Sequence, residues 1–560
     1  MRGFLNLWAQ APAWAQESLS WIGPPAVLAV AAFLFPRHAR AVAAHCDRAL
    51  AYLARRHPAA AALPVVMAGA IVLLADGFPL PQVHDEFSYL LAADTFAHGR
   101  VANPTPPLWQ HFETFHVSML PTYVSMYQPG SGLVLAAGTL LFGHPWFAIW
   151  LTAITLAVAV RWAAAAWLPP RWSLAAGLVA AIVVSSGYWL DSYWGGALPA
   201  TGGALVLGSW PRMVRRPSLK LGLAIAAGAV ILLYTRPYEG GVLCLAVGVA
   251  IVLALAAGVR YRNLSRRAGP AASATGPNSM RTALLAAVGV LALGAGWLGW
   301  YNWRTTGSPL LLPYVLNFST YHHRRLFVFG SDRESPPVYR HEAFRRLYSD
   351  FYYSRDAWRA WRRNLNFYGA SLPALMILAI PWLVRYRPSR ALLAVAAAVI
   401  GAAMLTVYSF PHYLAPATAA FAVLSLNALR LAGTVSWNGR RPGRLAAYSV
   451  LLAWIGVSSA RGAARLIRDA TPPAWVRQRQ EIAQTLTASG GRHLILVHYG
   501  RDHDANREWV YNGADLGPRT PVIWARAMDE DSDRRLRGAF ADRTAWLLEA
   551  EPKPQLRRLR

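Results

Sequence analysis

Apolar blocks of roughly 17–22 residues recur between residues 59 and 460, each about the length a helix needs to cross ~30 Å of hydrocarbon. A bilayer core offers backbone N–H and C=O groups no water. Each block must therefore close its own hydrogen bonds as a helix. The blocks read as spans near 59–78, 146–167, 172–187, 219–235, 239–258, 282–300, 368–384, 391–408, 414–431 and 445–460, with a shorter one near 197–210 and a weaker one at 19–35. The expected fold is an all-α polytopic membrane protein of about 11–13 transmembrane helices, carrying a small C-terminal α/β domain. Composition agrees. Of 560 residues, 55% are hydrophobic and 15% charged, too few polar groups to coat a soluble globule of that size.

The net charge of +28 is not laid out for nucleic acid. No basic stripe interleaved with stacking aromatics lies on a soluble segment, so no nucleic-acid partner is expected. Much of the charge sits in short loops instead. Arg37, Arg40, Arg48, Arg55 and Arg56 precede the first confident span. Arg212, Arg215, Arg216 and Lys220 form a second basic group, and Arg260, Arg262, Arg266 and Arg267 a third. Arg385, Arg387 and Arg390, then Arg440, Arg441 and Arg444, follow. Lys/Arg bias places these loops in the cytoplasm and the alternate loops outside. Counting spans between basic loops then favours an interfacial or re-entrant segment at 131–143; the alternative is that it spans and another of the blocks does not. Two cysteines, Cys46 and Cys244, make no disulfide framework. Ala13-Trp14-Ala15 imitates a signal cleavage site only loosely, because residues 3–12 make a poor apolar core.

Three regions follow. Residues 1–58 are an N-terminal extension with one weaker membrane candidate. Residues 59–460 form the membrane core, with long outer loops at 79–145 and 301–367. Residues 268–279, rich in Ala, Gly, Pro and Ser, read as a cytoplasmic linker. Residues 475–560 form the α/β domain, with strands at 493–499, 522–525 and 545–548 and a helix at 530–540.

The strongest chemical signal is His84-Asp85-Glu86-Phe87-Ser88-Tyr89, just beyond an outward-going span. Two adjacent carboxylates beside an apolar surface are costly to desolvate. Asp85 suits a general base; it equally suits the cap of an amphipathic helix over 86–98. Asp191 lies among aromatics in Tyr188-Trp189-Leu190-Asp191-Ser192-Tyr193-Trp194, where rings can stack on sugars or form an interfacial belt. Arg236-Pro237-Tyr238-Glu239 sets a guanidinium against the charge bias, suited to a phosphate or to a local pair with Glu239. His412-Tyr413 occupies another very short outer loop. His111, Glu113 and His116 are candidate ligands for a divalent metal ion, although their spacing matches no recognised zinc pattern. His322-His323-Arg324-Arg325 could meet an anionic headgroup.

The Asp-Glu pair after the first core helix, the Tyr three residues beyond Glu86, the amphipathic outer loop and Tyr127-Gln128-Pro129-Gly130 resemble the GT-C superfamily of membrane glycosyltransferases. The similarity is to its protein mannosyltransferase and aminoarabinose transferase group. The resemblance spans about 59–460, and its specific part is confined to 84–150. It implies a GT-C fold and transfer of a sugar from a polyprenyl-phosphate donor to a glycan, lipid or protein acceptor at the extracytoplasmic face. It makes Asp85 the base, with Glu86 beside it. His84, Tyr89, Asp191, Arg236, Tyr238, Glu239, His412, Tyr413, Arg324 and Arg325 become candidate substrate contacts. A transporter or flippase of lipid-linked glycans is the rival. It would tend to place charge at the bilayer midplane, whereas here the charges gather at one face.

Overall fold

The computed structural model describes residues 36–265, 277–321, 326–329, 380–406, 410–434, 442–468, 471–500, 502–504 and 506–559. The expected span at 19–35, most of the expected linker at 268–279 and of the expected span at 368–384, and the candidates Arg324 and Arg325 lie outside these residues.

The described chain is mainly helical. It runs through α1 (Pro36–Arg56), α2 (Leu63–Asp76), α3 (His84–Ala97), α4 (Pro129–Phe142), α5 (Trp146–Ala164), α6 (Pro170–Ser186), α7 (Ala197–Arg215) and α8 (Leu219–Thr235). It continues through α9 (Pro237–Ser265), α10 (Pro277–Thr306), α11 (Pro313–Tyr321), α12 (Ile380–Arg385), α13 (Arg387–Met404), α14 (Thr418–Ala432) and α15 (Pro442–Arg468). Among the described residues, six helical stretches are long and apolar enough to cross a membrane, and α4, α6, α8 and most of α13 are shorter apolar helices. The protein is an integral membrane protein, and helices cover the expected spans that fall among the described residues. α10 starts inside the expected linker, at Pro277, whose fixed φ suits a first helical turn.

The bundle has two chemically different ends. At the basic end, α1 lies across the ends of α6 and α15. The Asp47 carboxylate accepts from Arg171 Nη1 at 2.8 Å, from Arg444 Nη2 at 2.8 Å and from the Tyr448 hydroxyl. Arg161 and Arg212 there donate to the carbonyls of Ala54 and Trp162. The aromatic end collects the loops after α2, α6, α8, α10 and α13. Phe78 stacks on His144 with ring centroids 3.7 Å apart, and Trp146 Nε1 donates to Leu190 O at 2.8 Å.

α4 belongs to the aromatic end along its whole length. Its first turn abuts Tyr234 and Thr235 at the end of α8, and Gly138 abuts Ala148 at the start of α5. Fourteen residues of helix extend only about 21 Å. Both ends of α4 meet one end of the bundle, the arrangement that the count of basic loops favours.

Beyond α15 come α16 (Ala474–Ala488), β3 (His493–His498), β4 (Val522–Arg526), α17 (Glu530–Ala539), β5 (Thr544–Glu549) and β6 (Gln555–Arg558); β1 (Val117–Ser118) and β2 (Val124–Ser125) form a small antiparallel pair within the loop between α3 and α4. The C-terminal sheet has the order β4-β3-β5-β6, with the first three strands parallel and β6 antiparallel at the edge. The β3, β4 and β5 segments match the apolar runs of the sequence. α16 and β6 carry no comparable signal: α16 is polar, and β6 is a short, mostly exposed edge.

This domain does not stand apart from the membrane core. Phe87, Leu91, Phe112, Val117, Met119 and Tyr123 of the core share one buried cluster with Leu494, Leu496, Tyr511, Ile523, Leu536 and Phe540 of the domain. The sheet thus sits on α3 and its loop, at the aromatic end.

Candidate active site

α3 starts beside the membrane core with Val83 as its N-cap. Asp85 is therefore one residue inside the first turn and does not cap the helix. Glu86 does that work. Its Oε2 accepts from Gln82 N at 2.7 Å and Val83 N at 3.1 Å, two donors that the helix start leaves without partners. Its Oε1 accepts from Tyr193 N at 3.0 Å, which ties the loop after α6 to the start of α3. Glu86 is 2% exposed. Burial pushes its carboxyl up to about 7, against the three backbone N–H bonds that pull it down.

With Glu86 turned inward, Asp85 turns toward the aromatic end. The Tyr127 hydroxyl donates to Asp85 Oδ1. Burial first, and the Asp85 charge second, keep that phenol protonated and so a donor. Asp85 Oδ2 lies 3.8 Å from His116 Nε2, and the Asp85 side chain retains 24% exposure. Burial lowers the His116 imidazole more than Asp85 raises it, so the ring is neutral at pH 7. His116 adopts a left-handed backbone, φ 60°, unusual for a residue with a Cβ. Two bonds hold it there: Ser88 Oγ and Met126 N both donate to its carbonyl, at 2.6 and 3.0 Å. Strain of that kind persists only where the surroundings over-determine it.

Facing Asp85 is a ring of phenols and one guanidinium. Tyr89 stacks on Tyr127, centroids 4.2 Å apart. Arg236, between α8 and α9, lies over the Tyr413 ring at 4.4 Å. Tyr89 and Tyr413 each lie within electrostatic reach of both Asp85 and Arg236. Glu239 is buried beside Arg236. His412 Nδ1 is 2.5 Å from the Tyr188 hydroxyl, and its ring meets Trp194 at 5.1 Å. The segment carrying His412 and Tyr413 is pinned by Gly203 of α7, where a Cβ would sit 1.9 Å from Pro416 O. Asp85, Tyr89, Tyr127, Tyr188, Arg236, Glu239, His412 and Tyr413 thus share one site, although they come from five separate segments of the chain.

Other sequence candidates go elsewhere. Asp191 Oδ2 accepts from Arg465 Nη2 of α15 at 2.9 Å, and Arg465 also donates to Gly187 O. Tyr238 packs edge-on against Phe327 at 5.1 Å. His84 meets the C-terminal domain, its Nδ1 2.6 Å from the Tyr511 hydroxyl. The expected metal set separates. His111 Nδ1 pairs with Arg526 O at 2.7 Å, the Glu113 carbonyl accepts from Arg526 Nη2 at 3.2 Å, and only His116 reaches Asp85. His111 and Glu113 serve the contact with the sheet. Among the described residues no three His, Cys, Asp or Glu side chains group to hold a metal ion, so this donor set does not fit one. Tyr127 and Tyr188 were not singled out as site residues. Tyr127 precedes Pro129 by two residues, and the fixed start of α4 was the available signal for where its side chain goes.

No protein-family model and no curated protein matches this chain. Solved structures do. ArnT from Cupriavidus metallidurans bound to undecaprenyl phosphate matches with a TM-score of 0.51 at 14% identity, covering 87% of this chain and 92% of that one. The archaeal oligosaccharyltransferase AglB from Archaeoglobus fulgidus, in complex with an inhibitory peptide and a dolichol-phosphate, matches with a TM-score of 0.42 at 11% identity, over 87% of this chain and 69% of that one. The same enzyme in complex with Zn and sulfate gives 0.39 at 12% identity, over 86% and 62%. At this identity the likeness to the ArnT structure is one of fold, the GT-C polytopic membrane fold.

Proposed function

We propose that this protein is a membrane glycosyltransferase that moves a sugar from a polyprenyl-phosphate donor to an acceptor hydroxyl. The observation that carries this reading is the arrangement of Asp85 and Arg236 around one set of phenols, at the end of a bundle whose fold is that of ArnT. That ArnT structure holds undecaprenyl phosphate, which supports a lipid-phosphate donor here. The positive-inside rule sets the basic end in the cytoplasm and hence the site on the extracytoplasmic face.

The reaction is an inverting displacement at the anomeric carbon. The acceptor hydroxyl oxygen forms the new bond to C1, and the C1–O bond to the carrier phosphate breaks, its electron pair leaving with the phosphate. The hydroxyl proton passes to Asp85 Oδ2. An acceptor oxygen set to one side of the line from Oδ2 to His116 Nε2 can meet both, since they are 3.8 Å apart. Tyr127 holds Oδ1, fixing the carboxylate plane. Arg236 stabilises the departing phosphate as its charge develops. Glu86 positions Asp85 by clamping the helix start and does not touch the reactants. His412, held by Tyr188, lines the phosphate side. No step is routed through a metal.

Membrane vesicles containing the protein are supplied with undecaprenyl phosphate carrying radiolabelled pentoses or hexoses. The expected result is that label leaves the carrier for a hydroxyl-bearing product, and that Asp85→Asn stops it. Intact donor crossing the vesicle with its sugar still attached would replace the transferase with a transporter. Sidedness is read separately, at exposed positions. A membrane-impermeant thiol reagent should label Glu530→Cys in intact cells and Lys220→Cys only after permeabilisation. The reverse pattern would move the site to the cytoplasm.

A further inference from the structure

The C-terminal domain touches α3 at its first residue, directly beside Asp85. The contact is made by residues 509–514, a short stretch fastened on both sides. On the domain side, Arg479 donates to the carbonyls of Trp509 and Tyr511 at 2.9 and 2.7 Å, and Asn512 exchanges two hydrogen bonds with the Trp524 backbone at 2.8 and 2.9 Å. On the core side, Ala514 N donates to Asp94 Oδ2 at 2.6 Å, Arg100 Nη2 to Ala514 O at 3.2 Å, and the Tyr123 hydroxyl to Asn512 O at 3.0 Å. Gly513 allows the close approach: a Cβ there would fall 2.6 Å from Asp94 Oδ2. The stretch is a strut between the sheet and α3.

Tyr511 is its tip. The ring stacks flat on Phe87, centroids 4.2 Å apart. Its hydroxyl donates to Phe115 O at 3.4 Å and lies 2.6 Å from His84 Nδ1. A phenol has one proton. With that proton given to the carbonyl, His84 must donate, so the network runs from His84 Nδ1–H to the Tyr511 oxygen and from Tyr511 O–H to Phe115 O. His84 immediately precedes Asp85, and Phe115 immediately precedes His116. One hydroxyl therefore ties together the two backbone segments that set the separation of Asp85 and His116.

We infer that Tyr511 is a positioning residue for the Asp85–His116 pair, so that the C-terminal domain forms part of the reaction centre through this strut. The inference rests on Asp85 being the base. It predicts that loosening the tie lets the gap between Oδ2 and Nε2 vary, which lowers turnover and leaves the phosphate side unaltered. Small misplacements of a reacting group are costly, and loss of one such bond should lower kcat about three- to tenfold.

The test uses the full-length protein in detergent, with the radiolabelled undecaprenyl-phosphate sugar that gives transfer. Tyr511→Phe keeps the ring stack and removes the hydroxyl. It should lower kcat by that factor while KM for the carrier sugar stays unchanged. Tyr123→Phe removes a different bond between the same strut and the core. It should leave kcat at the wild-type value, which separates positioning from domain docking. In a His84→Phe background, Tyr511→Phe should cost nothing further. If Tyr511→Phe does not accumulate, His84→Phe breaks the same tie from the other side and should show the same loss of kcat. Wild-type kcat in Tyr511→Phe, an equal loss in Tyr123→Phe, or full additivity with His84→Phe would overturn the assignment. Asp85→Asn tells the two levels apart. An active Asp85→Asn removes the base itself, whereas an inactive Asp85→Asn beside a fully active Tyr511→Phe removes only the role of the strut.

Discussion

Asp47 at the basic end and Asp85 at the aromatic end are both carboxylates inside helical chain at the rim of the bundle, yet they are held in opposite ways. Asp47 takes two arginines and a phenol, which neutralise it and bind α1 to α6 and α15. Asp85 takes a phenol on one oxygen and has a neutral imidazole 3.8 Å from the other, and the nearby cation, Arg236, lies over Tyr413 instead. Three side-chain donors cover both Asp47 oxygens. Asp85 is fixed by a phenol on one oxygen and turns the other toward His116. In the proposed mechanism, position at the rim is not what separates the two acids; their partners are.

The largest expected effect breaks the comparison at its centre. Asp85→Asn keeps the size of the side chain and an oxygen for Tyr127, and removes the basic oxygen. Transfer should fall by about 10²–10⁴-fold, with melting temperature and undecaprenyl phosphate binding near wild type. Asp47→Asn should do the reverse. Its arginines are almost half exposed, so the loss should be about 1 kcal/mol or less in stability with transfer unchanged. Equal transfer losses in the two variants would erase the distinction.

Arg236→Ala comes next. A charge-assisted bond to the carrier phosphate is worth about 1.5–3 kcal/mol, so apparent donor affinity should drop roughly ten- to a hundredfold. Lysine should restore part of it, since it lacks the planar fork. Unchanged dependence on donor concentration would leave Arg236 with Tyr413 and Glu239 alone.

The smallest effect concerns Glu86, the neighbour of Asp85 with the opposite task. In Glu86→Gln an amide NH₂ must face one of three backbone N–H donors, at a cost of about 1–3 kcal/mol in stability. Transfer should fall far less than in Asp85→Asn. The pH dependence supplies a second reading. Burial raises the folded carboxyl from 4.5 to about 7. Between those values the folded state keeps a proton that the unfolded chain has released, so this group's contribution to stability is full below about 4.5 and lost as pH rises through about 7. Melting curves across that window should fall with rising pH in the wild type and lose this component in Glu86→Gln. Identical slopes would assign the pH dependence to another group.

The sequence by itself marked the helices of the described spans, the short loops that gather arginine, the favoured short reach of 131–143 and three strands of the C-terminal sheet. Each is set by local pattern: hydrophobic length, charge between blocks, apolar runs bounded by turns. It also singled out the Asp-Glu pair, because two acids beside an apolar surface stand out in a chain with so few. It did not divide their labour. Only the tertiary structure turned Glu86 inward to Tyr193, 107 residues away, and left Asp85 to Tyr127. Only the fold paired Asp191 with Arg465, sent His111 to the carbonyl of Arg526 and brought Tyr511 to His84 across 427 residues. Local pattern says which residues must leave water or meet it. Which partner a polar group finds there depends on the loops that the packed helices bring to one end, and that is a property of the bundle as a whole.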